Sequence, residues 1–135
     1  MDDAARRAAN KKVFAEVQAT ISAGQFEKLG DFMVDDLLFE LPYGPAFMPN
    51  PVEGLEAWNQ MQLMTFAMFD SFKLEPIEYH ECLDPDELIA EYRSEATVKR
   101  NGNEYKNRYI GVLRFRDGKI SHWREFHNPE ATKVL

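Results

Sequence analysis

The sequence predicts an α+β fold in which a curved antiparallel sheet packs on amino-terminal helices. Apolar residues recur at helical spacing in the first half of the chain, and strand-like segments replace that pattern after residue 71. Two glycine-containing turn pairs divide these segments into hairpins. Helices followed by a run of strands are typical of the α+β class, because each element must bury one apolar side against another.

Length and composition indicate a single domain, residues 1–135. The 135 residues are 44% hydrophobic, which suffices for one core and not for two. A net charge of −7 and scattered basic residues argue against nucleic-acid binding. The lone Cys82 and three dispersed histidines predict neither a disulfide nor a metal site. Without a signal-peptide or membrane-span pattern, we expect a soluble cytoplasmic protein that binds no membrane.

The first half of the chain contains three helical patterns and one irregular loop. Helices are predicted over 4–23, near 26–32 and over 53–69, and a brief strand over 37–41. Their apolar stripes are formed by Val13, Val17 and Ile21, by Phe26, Leu29 and Phe32, and by Trp58, Met61, Thr65 and Met68. The loop over 42–51 contains four prolines, which exclude regular structure. This loop is either a candidate pocket rim, with Tyr43, Phe47 and Met48 as apolar gates, or a long connection that the prolines stiffen.

Four strands are predicted in the second half, over 73–82, 88–98, 104–116 and 119–128. Asn101-Gly102 and Asp117-Gly118 form the hairpin turns, because glycine readily takes the positive φ that such turns need. A curved sheet that helices close at one end encloses a cavity. Such a cavity suits a small ligand.

Side-chain alternation sorts each strand into two faces, but it does not say which face is buried. One face of the last strand carries Ser121, Trp123, Glu125 and His127, and the opposite face carries Ile120, His122, Arg124 and Phe126. The strand over 88–98 has one face with Glu91, Arg93, Glu95 and Thr97 and another with Ala90, Tyr92, Ser94, Ala96 and Val98. The strand between them has one face formed by Tyr105, Asn107, Tyr109, Gly111, Leu113 and Phe115. Buried charges must pair, since an unpaired one costs several kcal/mol. The charged set is therefore either a paired polar site inside the cone or an exposed face held by cross-strand ion pairs.

Several stretches resemble the SnoaL-like branch of the nuclear-transport-factor-2-like (NTF2-like) superfamily. They are PVEGLEAW, FDSFKLEPIEYHECLDPDELIAEYRS and EYKNRYIGVLRFRDGKISHWREFHNP, which together cover roughly 52–129. The Asn-x-x-Ile pattern from Asn107 to Ile110, then DGKI, then REF-x-NP is most similar to the phenazine-biosynthesis A/B type. This resemblance implies a cone-shaped, cystatin-like barrel and a homodimer joined through sheet faces. It also implies a pocket between sheet and helices, which holds a small apolar ligand or substrate.

The same resemblance assigns roles to individual residues. It implies that Glu125 is a pocket acid/base and that the Tyr105 hydroxyl lies nearby, while the helical segment NQMQLMTF offers Gln60 or Gln62 to the pocket. A second relative, the limonene-epoxide-hydrolase type, uses a carboxylate, an arginine and a carboxylate to activate water. Arg93-Ser94-Glu95 and WREFH resemble its motifs, so Glu125, Arg93 and Glu95 are a candidate catalytic trio.

Two functions follow from this interpretation. The first is a cofactor-independent acid/base enzyme, of the isomerase, cyclase or hydrolase type, that acts on a small, largely apolar oxygenated molecule. Its candidate substrate-binding residues are Tyr105, Tyr109, Trp123, His127, Trp58, Met61, Gln62 and Tyr43. The alternative is a non-catalytic ligand-binding or accessory dimer, because this fold hosts both. No dinucleotide or phosphate-cradling glycine motif occurs, so no cofactor is predicted.

Overall fold

A computed structural model of the chain, which describes residues 1–46 and 48–135, has helices on one face of a six-stranded sheet. The helices are α1 (Asp3–Ser22) and α2 (Leu55–Phe66), with short 3-10 helices at Phe26–Phe32 and Pro129–Val134; the strands are β1 (Met33–Glu40), β2 (Val52–Glu53), β3 (Phe69–Glu81), β4 (Glu87–Val98), β5 (Glu104–Arg116) and β6 (Lys119–His127). The predicted α+β class, with helices packed on a sheet, is confirmed. None of the described helices has the length and hydrophobicity of a membrane span.

The strand order is β2-β1-β6-β5-β4-β3. The four long strands form the predicted antiparallel meander, whereas β1 pairs in parallel with β6. The sheet is therefore not wholly antiparallel, because the chain returns from β5 to a strand that lies beside the first one. Pro76, which cannot donate a backbone hydrogen bond, lies on the edge strand β3 beside a register shift.

Several predicted boundaries differ from the structure. The helix predicted over 53–69 begins at Leu55, because Val52 and Glu53 form a short strand and Gly54 turns the chain with a φ of 94°. Its end is also earlier, since Phe69 already pairs with Val98 in the β3–β4 ladder. The predicted strand over 37–41 is longer than expected and spans Met33–Glu40.

Helices α1 and α2 cover one side of the sheet, which we call the inner face. Phe14 of α1 packs edge-on against the rings of Tyr92 and Trp123, at centroid distances of 5.3 and 5.4 Å. Trp58 of α2 lies against Trp123 with ring centroids 6.1 Å apart. These aromatic contacts form the centre of the core and fix which side chains of β4, β5 and β6 point inward.

A bulge in β6 changes one of the predicted faces. Arg114 pairs with His122 while Phe115 pairs with Ile120, so Ser121 is an extra residue on β6. Both Ile120 and Trp123 are buried as a result, at 0% and 2% exposure. The prediction that Ile120 lies opposite Trp123 is therefore wrong, because simple alternation does not continue through a bulge.

Candidate functional site

Glu125 points to the inner face of the sheet. It pairs with Gly111 of β5, which pairs in turn with Ala90 of β4, and both of these partners are buried. The Glu125 side chain itself is only partly buried. Its Oε2 accepts a hydrogen bond of 3.0 Å from the Tyr92 hydroxyl. Oε1 has no hydrogen-bond partner among the described residues and is not one of their fully enclosed polar atoms, so one oxygen stays available.

The surroundings of Glu125 favour its neutral form. Burial raises the pKa of its carboxyl to about 7, although the hydrogen bond from Tyr92 opposes part of this rise. Burial also raises the pKa of Tyr92 well above its ordinary value, and the nearby Glu125 charge adds to the effect. Glu125 is therefore poised to exchange a proton near neutral pH, with a phenol beside it that keeps its own proton.

Tyr92 is held from two sides. Trp123 Nε1 donates a hydrogen bond of 3.1 Å to the Tyr92 hydroxyl. The Tyr92 ring also stacks on Tyr109, with centroids 5.1 Å apart and planes 16° from parallel. Tyr92 is fully buried, at 0% exposure, so its hydroxyl has no access to water. The phenol is therefore a fixed partner for the Glu125 carboxyl.

A second group of buried polar side chains continues along β5. Tyr109 shares hydrogen bonds with Ser94, at 2.7 Å, and with Tyr105, at 3.3 Å. Asn107 Nδ2 then donates to the Tyr105 hydroxyl at 2.7 Å. Burial raises the pKa values of Tyr105 and Tyr109, so both remain protonated phenols that can donate hydrogen bonds.

Trp58 and His127 each carry a buried polar atom without a partner among the described residues. Trp58 is 1% exposed, yet its Nε1 meets no acceptor within residues 1–46 and 48–135. His127 is half-buried, its Nδ1 is likewise unpaired, and burial lowers the pKa of its imidazole. Buried polar atoms usually have partners, so each of these atoms could serve a bound molecule.

The structure assembles most of the predicted binding residues on the inner face. Tyr105, Tyr109, Trp123 and Trp58 belong to its buried cores, and Met61 packs at the edge of the larger one. Gln62 is only partly buried and Gln60 is exposed on α2. Tyr43 is 59% exposed, and its ring lies 5.9 Å from that of Phe126, the neighbour of Glu125 that points to the other side of β6. Tyr43 therefore does not line the Glu125 site, and Phe47 lies outside the described residues.

The predicted trio of Glu125, Arg93 and Glu95 is not assembled. Arg93 and Glu95 lie on the outer face of the sheet, opposite the helices. Arg93 pairs with Glu75 at 2.9 Å, and Glu95 lies 3.9 Å from Lys106, all with well-exposed side chains. These two residues instead fit the alternative interpretation, in which cross-strand ion pairs hold an exposed face of the sheet. The reason is that the neighbouring apolar residues of β4 require the opposite face for the core.

Tyr92, Ser94 and Gly111 complete the site, although the sequence did not single them out. The alternation of apolar residues at 88, 90, 92, 96 and 98 was the available signal, because it marks that face of β4 as the buried one. Gly111 has a specific role. A Cβ at this position would lie 2.9 Å from the Tyr92 hydroxyl and 3.2 Å from Trp123 Nε1.

Two surface clefts lie away from Glu125. The first, of about 380 Å³, is lined by Ala67, Met68, Val98, Lys99, Arg100 and Leu135. The second, of about 540 Å³, lies between the start of α2 and β1, along Asp35, Glu53, Gly54, Leu55, Glu56, Ala57 and Gln60. Neither is the pocket expected from the sequence, which would border Glu125.

Comparison with known proteins gives a consistent family signal. Residues 14–123 match the SnoaL-like domain. The chain is 33% identical over 93 residues to an uncharacterised PhzA/B-like protein of Pseudomonas aeruginosa. The aligned region covers 68% of this chain and 64% of that protein. It is also 30% identical over 107 residues to the uncharacterised protein YesE of Bacillus subtilis, and this alignment covers 73% of the chain and 67% of YesE. The match thus spans slightly less than two thirds of the Pseudomonas relative.

Solved structures share the fold. A phenazine biosynthesis-related protein (PhzB2) of Pseudomonas aeruginosa superposes with a TM-score of 0.84 at 19% identity, covering 97% of this chain and 86% of that one. A Bacillus subtilis protein provisionally described as an isomerase superposes with a TM-score of 0.85 at 24% identity, covering 99% and 94% of the two chains. At these identities the likeness establishes the architecture alone.

Proposed function

The chain belongs to the SnoaL-like domain family, and from this premise we propose that it is a cofactor-independent acid/base enzyme of the isomerase or cyclase type. Its substrate would be a small, uncharged, largely apolar molecule with a carbonyl group. The observation that carries the proposal is Glu125, an inward-facing carboxyl with a pKa of about 7, one bonded oxygen and one available oxygen. A base with a pKa near the working pH combines a sufficient ionised fraction with useful basicity.

The proposed step moves a proton between carbon and oxygen. Ionised Glu125 takes a proton from the carbon next to the carbonyl, and the electron pair of that C–H bond forms the enolate. Glu125 then returns the proton to another carbon of the delocalised enolate, which gives an isomer. Alternatively, the enolate carbon attacks a second carbonyl carbon to close a ring, and the alkoxide so formed takes the proton back from Glu125. The Trp58 indole N–H, which is buried and has no acceptor among the described residues, would donate to the enolate oxygen.

The distribution of charge supports an uncharged substrate. The arginines of the strands beside Glu125 pair with carboxylates away from the inner face: Arg93 with Glu75, Arg108 with Glu91, Arg114 with Glu87, and Arg124 with Glu40. The neighbours of Glu125 on the inner face are aromatic rings and neutral hydroxyls. An anionic substrate would be desolvated there without a compensating cation, which is unfavourable.

The test is proton exchange on a simple ketone, 2-tetralone, in D2O. We expect the protein to accelerate exchange of its α-protons above the buffer rate, with a rate that rises with pH to a plateau above about pH 7. Glu125→Gln should reduce the protein-dependent rate by about 100-fold or more. Glu95→Gln, which removes an exposed glutamate from the outer face, is the matched control and should retain the rate. Equal exchange by wild type and Glu125→Gln would refute the proposal.

The alternative, a non-catalytic ligand-binding protein, is supported by the buried Trp58 Nε1, which has no partner among the described residues and would hold a ligand oxygen without any proton transfer. It predicts that 2-tetralone binds without accelerated exchange. Binding can be followed by quenching of tryptophan fluorescence, because Trp58 and Trp123 both lie beside the proposed site. Binding with exchange at the buffer rate would favour this alternative over catalysis.

A further inference from the structure

The geometry points to a fixed hydrogen-bond relay, Trp123 to Tyr92 to Glu125, that confines the exchangeable proton of Glu125 to Oε1. Tyr92 is thereby a positioning residue, which acts through Glu125. The inference deepens the proposed function, since it names the oxygen that would exchange a proton with the substrate. It rests on the direction of each hydrogen bond in the relay.

The direction follows from the chemistry of the three groups. An indole N–H can only donate a hydrogen bond, so the Tyr92 oxygen must accept from Trp123 Nε1 at 3.1 Å. The single Tyr92 hydroxyl proton is then directed to Glu125 Oε2 at 3.0 Å. Because Tyr92 is buried, no water competes for that proton.

The same constraint decides where neutral Glu125 carries its proton. A proton on Oε2 would have to be donated to Tyr92, and the Tyr92 hydroxyl proton would then need another acceptor. Among the described residues the only other hydrogen-bond partner of this hydroxyl is the Trp123 N–H, which cannot accept. Oε2 therefore stays a carbonyl-like acceptor, and the proton sits on Oε1, the oxygen that has no partner in the described part of the chain.

Other titratable groups on the inner face do not disturb this assignment. Tyr92 on β4, Tyr105 and Tyr109 on β5 and His127 on β6 are the titratable groups of the inner face near Glu125. Arg124, the adjacent residue in the chain, points to the other side of β6 and lies 3.8 Å from Glu40. The three phenols remain protonated because burial raises their pKa values. Burial lowers the pKa of the His127 imidazole, so this group is neutral where Glu125 ionises.

The first experiment uses the unliganded wild-type protein, so that folding of a variant is not a concern. NMR of isotope-labelled protein would follow the Glu125 carboxyl carbon and the Trp123 indole N–H between about pH 5 and pH 9. We expect both signals to move with one midpoint near pH 7, because ionisation of Glu125 polarises the Tyr92 hydroxyl between them. A chemical shift of the Trp123 N–H that stays constant while Glu125 titrates would contradict the relay.

The second experiment removes the hydroxyl in the middle. Tyr92→Phe should shift the midpoint of Glu125 upward by about one pH unit, since a hydrogen bond to the ionised form is lost. In the infrared difference spectrum, the C=O stretch of neutral Glu125 should move to higher frequency, because Oε2 no longer accepts a hydrogen bond. Tyr79→Phe removes a hydroxyl that donates to Gln18 instead, and it should change neither reading.

An unchanged midpoint and an unchanged C=O stretch in folded Tyr92→Phe would each contradict the assignment. Neither reading depends on turnover. If 2-tetralone exchange fails while these signals behave as expected, the catalytic proposal fails and the relay stands. If exchange depends on Glu125 while the signals do not respond to Tyr92, the relay fails alone.

Discussion

Gly111 lies directly opposite Glu125 in the β5–β6 pairing, and the absence of a side chain at this position leaves room for the Tyr92 hydroxyl. An added Cβ would lie 2.9 Å from that hydroxyl oxygen and 3.1 Å from the Tyr92 ring. Contacts this short require the buried ring to move. Gly111 on β5 thus leaves space for the hydrogen bond from Tyr92 on β4 to Glu125 on β6.

Gly111→Ala should destabilise the protein by about 1–3 kcal/mol, because it overpacks the core around Tyr92. Chemical denaturation measures the change. Gly30→Ala is a matched control, since its new Cβ would meet only ordinary contacts at 3.6 Å and beyond. Equal stability of the Gly111→Ala variant and wild type would show that Tyr92 can shift without penalty.

Glu125→Gln should change the pH dependence of folding stability. The pKa of Glu125 is raised in the folded state, so its protonated form contributes stability at low pH that is lost as pH rises towards about 7. The neutral glutamine keeps that contribution at all pH values. We therefore expect the unfolding free energy of Glu125→Gln, relative to that of wild type, to increase by about 2–3 kcal/mol between about pH 5 and pH 8.

Urea denaturation of both proteins across that pH range measures this gain. Glu95→Gln, which removes one exposed carboxylate from the outer face, is the control for the loss of a charge. A constant difference between Glu125→Gln and wild type would mean that the carboxyl is solvated like an ordinary glutamate.

Arg93→Gln should leave both stability and the Glu125 site nearly unchanged. Arg93 and its partner Glu75 are both more than half exposed, and such pairs contribute about 0–1 kcal/mol. The NMR midpoint of Glu125 and any exchange of 2-tetralone should match wild type. A large loss of exchange in this variant would favour the epoxide-hydrolase-like trio again, although the structure places its members on opposite faces of the sheet.

Asn107→Ala should destabilise the protein by about 2–3 kcal/mol, because it leaves several buried groups without partners. Asn107 Oδ1 accepts from the Asn128 backbone N–H at 3.0 Å, and its Nδ2 donates to Tyr105 at 2.7 Å. Asn103→Ala, which removes an exposed side chain that donates to the Val134 carbonyl oxygen, should have a much smaller effect. Thermal and urea denaturation compare the two variants, and similar losses would argue against a buried network.

The fold was largely predictable because its signals are local. Helical spacing marked α1, and two Gly turns marked the hairpins that join β4 to β5 and β5 to β6. The parallel partner of β6 was not predictable, because β1 lies some eighty residues earlier in the chain and no local pattern records that pairing. The homodimer and the cytoplasmic location remain predictions.

By itself, the sequence determined the family, the order of the hairpins and the candidate role of Glu125. Only the tertiary structure decided what surrounds that carboxyl. Alternation gives every strand two faces, and the choice between them depends on which face the helices cover. Packing of Phe14 and Trp58 against Trp123 turns Tyr92 inward and Arg93 outward. The charged trio that the resemblance to the limonene-epoxide-hydrolase type implied is thereby replaced by a phenol and an indole, because burying an aromatic face is favourable and burying ions is not.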